Sequence, residues 1–331
     1  MDLPTVWFLL IAVLFTGYFV LEGFDFGVGI LLPVLGRDDR ERRVLINTIG
    51  PVWDGNEVWL ITAVGGLFAA FPAWYASLLS GFYLPFLLVL LALIFRGVAF
   101  EYRHKRPEPR WKARWDLAIF LGSLLPAALW GVVLGNLLRG VPLDARGDHT
   151  GGLLDLLHPY ALLGGATTTA LFVTHGAVFL ALKTTGEIRV RAGRLAARAA
   201  GVTAAVTAAF LAASLTLRHT PAAVALAAAA GIALAGTLAA TRVRREGWAF
   251  TGTAAAIGLT VATAFAALFP TVLPSTADPA GTLTIHNAAS SPYTLTMMTW
   301  VAALFTPVVL GYQGWTYGVF RKRIGVGNIP R

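Results

Sequence analysis

The chain has 331 residues, 56% hydrophobic and 13% charged, with a mean hydropathy of +0.69 and a formal net charge of +9. A soluble domain carries about 25% charged residues, so the composition excludes a water-soluble globule and points to a polytopic membrane protein. The absence of cysteine excludes disulfides and thiolate-held clusters, and the basic excess lies in short loops between apolar spans, as a topology signal facing anionic lipid rather than a nucleic-acid surface.

The first apolar run, 5–33, has no basic leader and is too long for a signal-peptide core, so it reads as a retained first helix. Glu22 and Asp25 stand one helical step apart on it and share a face, while Gly23, Gly27 and Gly29 admit a second helix at close range. The second run, 47–71, opens on Trp53-Asp54-Gly55-Asn56-Glu57, so Asp54 and Glu57 repeat the same spacing, flanked by Trp53 and Trp59. The third, 76–100, carries Arg96, with Glu101 just beyond it; Asp116 opens the fourth, 117–138. Runs at 158–182, 199–217, 222–241, 248–270 and 293–318 bring the total to nine segments long enough for the roughly 20 residues a bilayer requires. They are continuous rather than alternating, which excludes a closed β-barrel. The last five hold no Asp, Glu, Lys or Arg, only His158 and His175; His175 is a weak candidate haem ligand set against a hydrogen-bonded core histidine. Pro85, Pro126 and Pro307 are expected to kink their helices.

The loops alternate in charge. Of the 26 Lys and Arg, 22 fall in loops 34–46, 101–116, 183–198, 242–247 and the C-terminal tail, including Arg331; Arg139, Arg146 and Arg218 lie on the other side, and Arg96 lies within a span. The positive-inside rule then places the N-terminus outside and the C-terminus in the cytoplasm, as an odd span count requires. Loop lengths repeat in the order basic loop, tight turn, basic loop, long loop, so the expected fold is all-α: two parallel four-helix bundles plus a ninth helix. The expected divisions are 1–140 (first bundle), 141–270 (second bundle) and 271–331 (outer loop, ninth helix and basic tail).

At 1.5 Å per residue, Asp25 and Asp54 each lie about 10 Å in from the cytoplasmic ends of their helices, so Glu22, Asp25, Asp54 and Glu57 are expected to meet Arg96 at one depth. A charge inside a membrane span is costly and marks a functional site by default. Four acids around one arginine cannot ionise jointly at low cost, so at least one is expected to carry a proton. Two readings stand: an ion-pair cluster locking the helices, or a proton or cation path from the cytoplasm. For the whole chain, a proton-coupled secondary transporter and a purely structural scaffold are the alternatives.

Gly17-Tyr-Phe-Val-Leu-Glu-Gly-Phe-Asp-Phe-Gly-Val-Gly29, Gly50–Trp59, Phe71-Pro-Ala-Trp-Tyr75 and Phe95-Arg-Gly-Val-Ala-Phe-Glu-Tyr-Arg103 resemble subunit II of cytochrome bd quinol oxidases. So do Gly135–Pro142, His286–Thr294 and Tyr312-Gln-Gly-Trp-Thr-Tyr317, and together these motifs run through the chain in order. The resemblance implies a terminal oxidase of the bacterial cell membrane that reduces O2 to water with quinol electrons. It implies a haem-bearing subunit I, holding two haems b and one haem d, as partner of this haem-free subunit, with a small accessory subunit as a further candidate. Some members hold a structural quinone in subunit II, to which no residue here is assigned. The resemblance also implies a proton path entering at Asp54, with Glu57, Asp25 and Glu22, where Glu57 replaces the Gln of some relatives. Arg96, Asp25 and Asp116 correspond to residues associated with haem-site integrity; Trp53, Trp59 and Glu101 join them as candidate interface residues.

Overall fold

A computed structural model describes residues 2–329 as eleven α-helices, four short 3-10 turns and one two-stranded ribbon. Arg331, counted in the basic tail, lies outside the described residues. The helices are α1 (Leu3–Leu35), α2 (Asp39–Ile49), α3 (Trp53–Ala70), α4 (Pro72–Gly81), α5 (Tyr83–Tyr102) and α6 (Pro109–Arg139) in the first part of the chain. They continue as α7 (Pro159–Lys183), α8 (Gly186–Leu217), α9 (Pro221–Arg242), α10 (Glu246–Leu268) and α11 (Pro292–Val319). Several starts are written in the sequence as a capping side chain followed by proline. Asp2, Thr220 and Ser291 accept from the third residue on, at 3.2, 3.1 and 3.2 Å, and Pro4, Pro221 and Pro292 fill the first turns.

Eight helices, α1 and α5 to α11, are long and apolar enough to cross a bilayer among the described residues. The expected second span differs. It is broken at Pro51, which has no N–H to continue the helix from Asn47 and whose ring crowds that carbonyl. Before the break lies α2, a separate helix started by Asp38, whose side chain accepts from the Glu41 N–H at 2.8 Å. After it comes α3, 18 residues beginning with the polar Trp53–Glu57 turn. The expected third span is also broken: α4 stops at Gly81 and α5 starts at Tyr83. Pro85 is the cause, since its partner carbonyl four residues back would be that of Gly81. The loops 101–116 and 183–198 are largely helical instead, because Arg, Lys and Ala are good helix formers and carry α6 and α8 past their apolar sections.

Helices α1, α6, α7 and α10 pack against one another at the centre, with α3 and α5 flanking one side and α8 and α9 the other. A close crossing joins α1 to α7. A Cβ on Gly27 would lie 2.8 Å from the Gly176 Cα, and one on Gly176 would lie 2.6 Å from the Gly27 Cα. Only glycine allows this approach, and with no hydrophobic drive between helices in lipid, close backbone contact supplies the association. In the second half, hydroxyls tie the helices: Thr168 to the Ala127 carbonyl at 2.6 Å, Thr174 to Thr203 at 2.7 Å and Tyr160 to Ser214 at 2.7 Å.

On the face opposite the basic segments, Thr271–Leu273 pairs antiparallel with Leu283–Thr284. The Ser290 N–H donates to the Ala70 carbonyl at 2.8 Å, tying this ordered loop to the end of α3. Helix α11 is the outlier, with only Leu295 buried. It is clipped to α1 at that end by the Trp7 indole, which donates to Thr299 at 3.0 Å and to the Leu295 carbonyl at 3.2 Å.

Gly176→Leu is expected to lower the stability of the assembled protein by about 1–3 kcal/mol through overpacking of the α1–α7 crossing. Gly193→Ala, where a Cβ meets nothing closer than the Ala181 Cβ at 4.0 Å, is expected to leave it unchanged. Thermal unfolding of the purified complex checks both.

Candidate functional site

The first turn of α3 faces the middle of α1 and the inner part of α5, and this places Glu22, Glu57 and Arg96 in contact. Arg96 Nη1 lies 2.7 Å from Glu22 Oε2 and 3.3 Å from Glu57 Oε1. The side chains of Arg96 and Glu22 have no exposed surface, and Glu57 retains 22%. The guanidinium carbon sits 4.8 Å from the Phe26 ring centre and 5.4 Å from that of Phe100, so aromatic faces complete its surroundings. Taking charges out of water costs several kcal/mol per ion, and only close pairing offsets it; removing one partner leaves that cost uncompensated.

Asp25 stands beside this group, equally buried, and receives a hydrogen bond from Asn56 Nδ2 at 2.7 Å. The Tyr317 hydroxyl of α11 donates in turn to Asn56 Oδ1 at 2.7 Å. One turn earlier on α11, Gln313 Oε1 accepts from the Trp59 indole at 2.8 Å. The Trp59 ring packs directly on Gly17, where any side chain would collide with it. Trp53 packs on α5, its ring 5.1 Å from that of Phe100. The site is thus three carboxylates around one guanidinium, extended by an amide and a phenol. Four of its buried polar atoms, Glu22 Oε1, Asp25 Oδ1, Arg96 Nε and Arg96 Nη2, have no hydrogen-bond partner among the described residues. The group is therefore more polar than its ion pairs satisfy, which a purely structural core seldom is.

The other sequence candidates lie apart. Asp54 is exposed, and its Oδ1 accepts the neighbouring Gly55 N–H at 2.8 Å. Glu101 is exposed at the end of α5. Asp116 anchors a second charged group on the basic face: its Oδ1 accepts from Arg103 Nε at 2.5 Å and its Oδ2 from Arg42 at 2.7 Å. Arg103 also pairs with Asp39 at 2.9 Å, as Lys112 does at 2.7 Å, so α2 and α6 are joined to the turn that follows α5. Burial pushes the Asp39 carboxyl up, but hydrogen bonds from Lys112 and Arg103 outweigh it and hold the group below the ordinary carboxylate range.

His175 has both ring nitrogens engaged within the chain: Nε2 with the Val20 carbonyl at 3.2 Å and Nδ1 with Thr253 Oγ1 at 2.6 Å. A carbonyl only accepts, so Nε2 carries a hydrogen. Its ring stacks on Phe250 at 4.6 Å. Neither nitrogen points at an open coordination position, and the described residues contain no group of three or more His, Asp or Glu arranged to hold a metal.

The sequence alone assigns no role to Gln313 and Tyr317, although their motif is visible in it. The usable signal is their spacing of four, which puts an amide and a phenol on one face of a helix without charged residues.

Residues 3–320 match the family described as cytochrome bd terminal oxidase subunit II. The chain is 45% identical over 328 residues to the cytochrome bd ubiquinol oxidase subunit 2 of Bacillus subtilis, covering 98% of this chain and 97% of that one. It is 39% identical to the cytochrome bd-I ubiquinol oxidase subunit 2 of Escherichia coli K12, over 98% of this chain and 96% of that one. Its fold is similar to a chain in the structure of bd oxidase from Geobacillus thermodenitrificans, with a TM-score of 0.78 at 19% identity, covering 97% of this chain and 99% of that one. An all-helical chain with eight apolar helices of spanning length, matched over nearly its whole length, belongs to the cytochrome bd terminal oxidase subunit II family.

Proposed function

We propose that this chain is the haem-free subunit of a bd-type oxidase and supplies the complex with a proton path from the cytoplasm. Family membership makes it a multi-pass bacterial membrane protein and a subunit of a quinol oxidase. The finer reading has nine spans: α3 crosses beside the eight apolar helices, with the N-terminus outside and the basic face in the cytoplasm. The first bundle is α1, α3, α5 and α6, the second α7 to α10, and α11 stands outside both. Two haems b and one haem d sit in subunit I, where O2 is reduced to water with quinol electrons. That reaction consumes protons, and drawing them from the cytoplasm adds to the membrane potential.

The observation that supports the path is the acid excess in the buried group, Glu22, Asp25 and Glu57 around Arg96. In this reading exposed Asp54 is the mouth, half-buried Glu57 one helical step on is the next stop, and Glu22 and Asp25 lie within. Asn56 on α3, backed by Tyr317 on α11, holds Asp25, and Arg96 on α5 holds Glu57. The fully buried Glu22–Arg96 pair also favours a second reading, in which the group only locks α1, α3 and α5 together and so supports assembly with subunit I. Family membership leaves the transporter reading without support.

Asp54→Asn in the assembled complex is expected to keep full haem content while turnover and proton uptake fall at least about tenfold, within the range of a lost proton-transfer group. Unchanged turnover would remove Asp54 from the path. Arg96→Ala is expected to cost about 3–5 kcal/mol by leaving Glu22 buried and unpaired, and to lower the haem content of the purified complex. A full haem spectrum in that variant would count against an assembly role for the pair.

A further inference from the structure

We infer that Tyr317 on α11 is a positioning residue for Asp25, acting through Asn56, and that it decides which carboxyl oxygen of Asp25 exchanges a proton. The inference rests on the reading of the buried acid group as the oxidase's proton inlet. Asn56 is buried and bonded at both ends of its amide. The Tyr317 hydroxyl donates to Oδ1, and Nδ2 donates to Asp25 Oδ2, both at 2.7 Å. A side-chain amide has one accepting and one donating end, so a hydroxyl that donates to Oδ1 turns the donating end toward Asp25.

The two oxygens of Asp25 are thereby made unequal. Oδ2 is committed to the amide N–H, while buried Oδ1 has no hydrogen-bond partner among the described residues. An N–H against Oδ2 leaves no place for a hydrogen there, so the exchangeable proton resides on Oδ1. With the amide reversed, its oxygen would face Oδ2 and accept a carboxyl hydrogen, drawing the proton to the wrong side and holding it.

Helix α11 is built to hold Tyr317 in register. Gln313 and Tyr317, one turn apart, are half-buried, while Tyr312 and Trp315 beside them are exposed. Gln313 accepts from the Trp59 indole at 2.8 Å and donates to the Gly55 carbonyl at 3.5 Å, so it grips the turn that carries Asn56. Just past α11, the Ile324 N–H donates to the Lys183 carbonyl at 2.9 Å and the Thr185 N–H to the Ile324 carbonyl at 3.0 Å. The helix is thus anchored on both sides of Tyr317 although little of it is buried.

The test uses the assembled oxidase. Tyr317→Phe keeps the ring and removes the hydroxyl; turnover is expected to fall about fivefold, the size of one buried neutral hydrogen bond, with haem content unchanged. In infrared difference spectra, the carboxyl band that Asp25→Asn abolishes is expected to shift in Tyr317→Phe, and to move no further when Tyr317→Phe is added to Asn56→Ala. Adding Tyr317→Phe to Asn56→Ala is expected to cost nothing more. An unmoved band in Tyr317→Phe, or a further fivefold loss in the double variant, overturns the inference. If Asp25→Asn itself turns over normally, the inlet reading falls, while the band shift still decides whether Tyr317 positions Asp25.

Discussion

A guanidinium with no exposed surface, placed within a membrane-spanning segment, constrains the whole first half of this chain. Arg96 cannot be there without Glu22 at 2.7 Å, and Glu57 must come within 3.3 Å. Because the three side chains arise from α5, α1 and α3, the pairing fixes the rotation and depth of three helices at once. A buried pair is weak evidence for stability in itself, since desolvation offsets much of its attraction. Its value lies in geometry: a helix that slides or turns by one residue leaves a charge unpaired in hydrocarbon. The glycines of α1 then allow the opposite face of that helix to meet α7 backbone to backbone.

The two halves solve the problem of polarity inside a membrane differently. The first half uses ionic groups and aromatic faces around Arg96. The second uses threonine and serine hydroxyls that bond to carbonyls within and between helices, together with His175 held between Thr253 and Val20. Such hydroxyl bonds carry no net charge and suit helices whose task is to pack. The chemistry-bearing groups are thereby confined to one side of the molecule.

Much of this was legible in the sequence, for identifiable reasons. Apolar run length reveals spans, and the i, i+3 spacing of Glu22 with Asp25 reveals a shared face. The rise per residue along each span puts Arg96 at the depth of Glu22 and Glu57. What the sequence concealed turns on proline and on long-range contacts. Pro51 and Pro85 sit inside runs that read as continuous, and the breaks they cause depend on which carbonyl lies four residues back. Asp54 follows the same periodicity as Glu57, yet stays outside the group because the first turn of α3 directs Asn56, not Asp54, toward Asp25. Asp116 reads only as the acid that opens the fourth span, with no partner assigned. Its partners, Arg103 and Arg42, lie in segments that read as loops. The contact of Tyr317 with Asn56 spans 261 positions, and no local pattern announces it.

Such a separation also matters in time. Arg96 emerges 39 residues after Glu57, so the ionic core of the site can close soon after its acids enter the membrane. The phenol that completes it is 261 residues behind Asn56, and at about 5–20 residues per second of synthesis it arrives some tens of seconds later. For that interval Asn56 and Asp25 reside in the bilayer with the α11 side of their turn uncovered. Helix α11 is therefore a late-made element that closes a polar site built from early ones, so a chain that stops before α11 would insert, pair its charges and still lack a finished site.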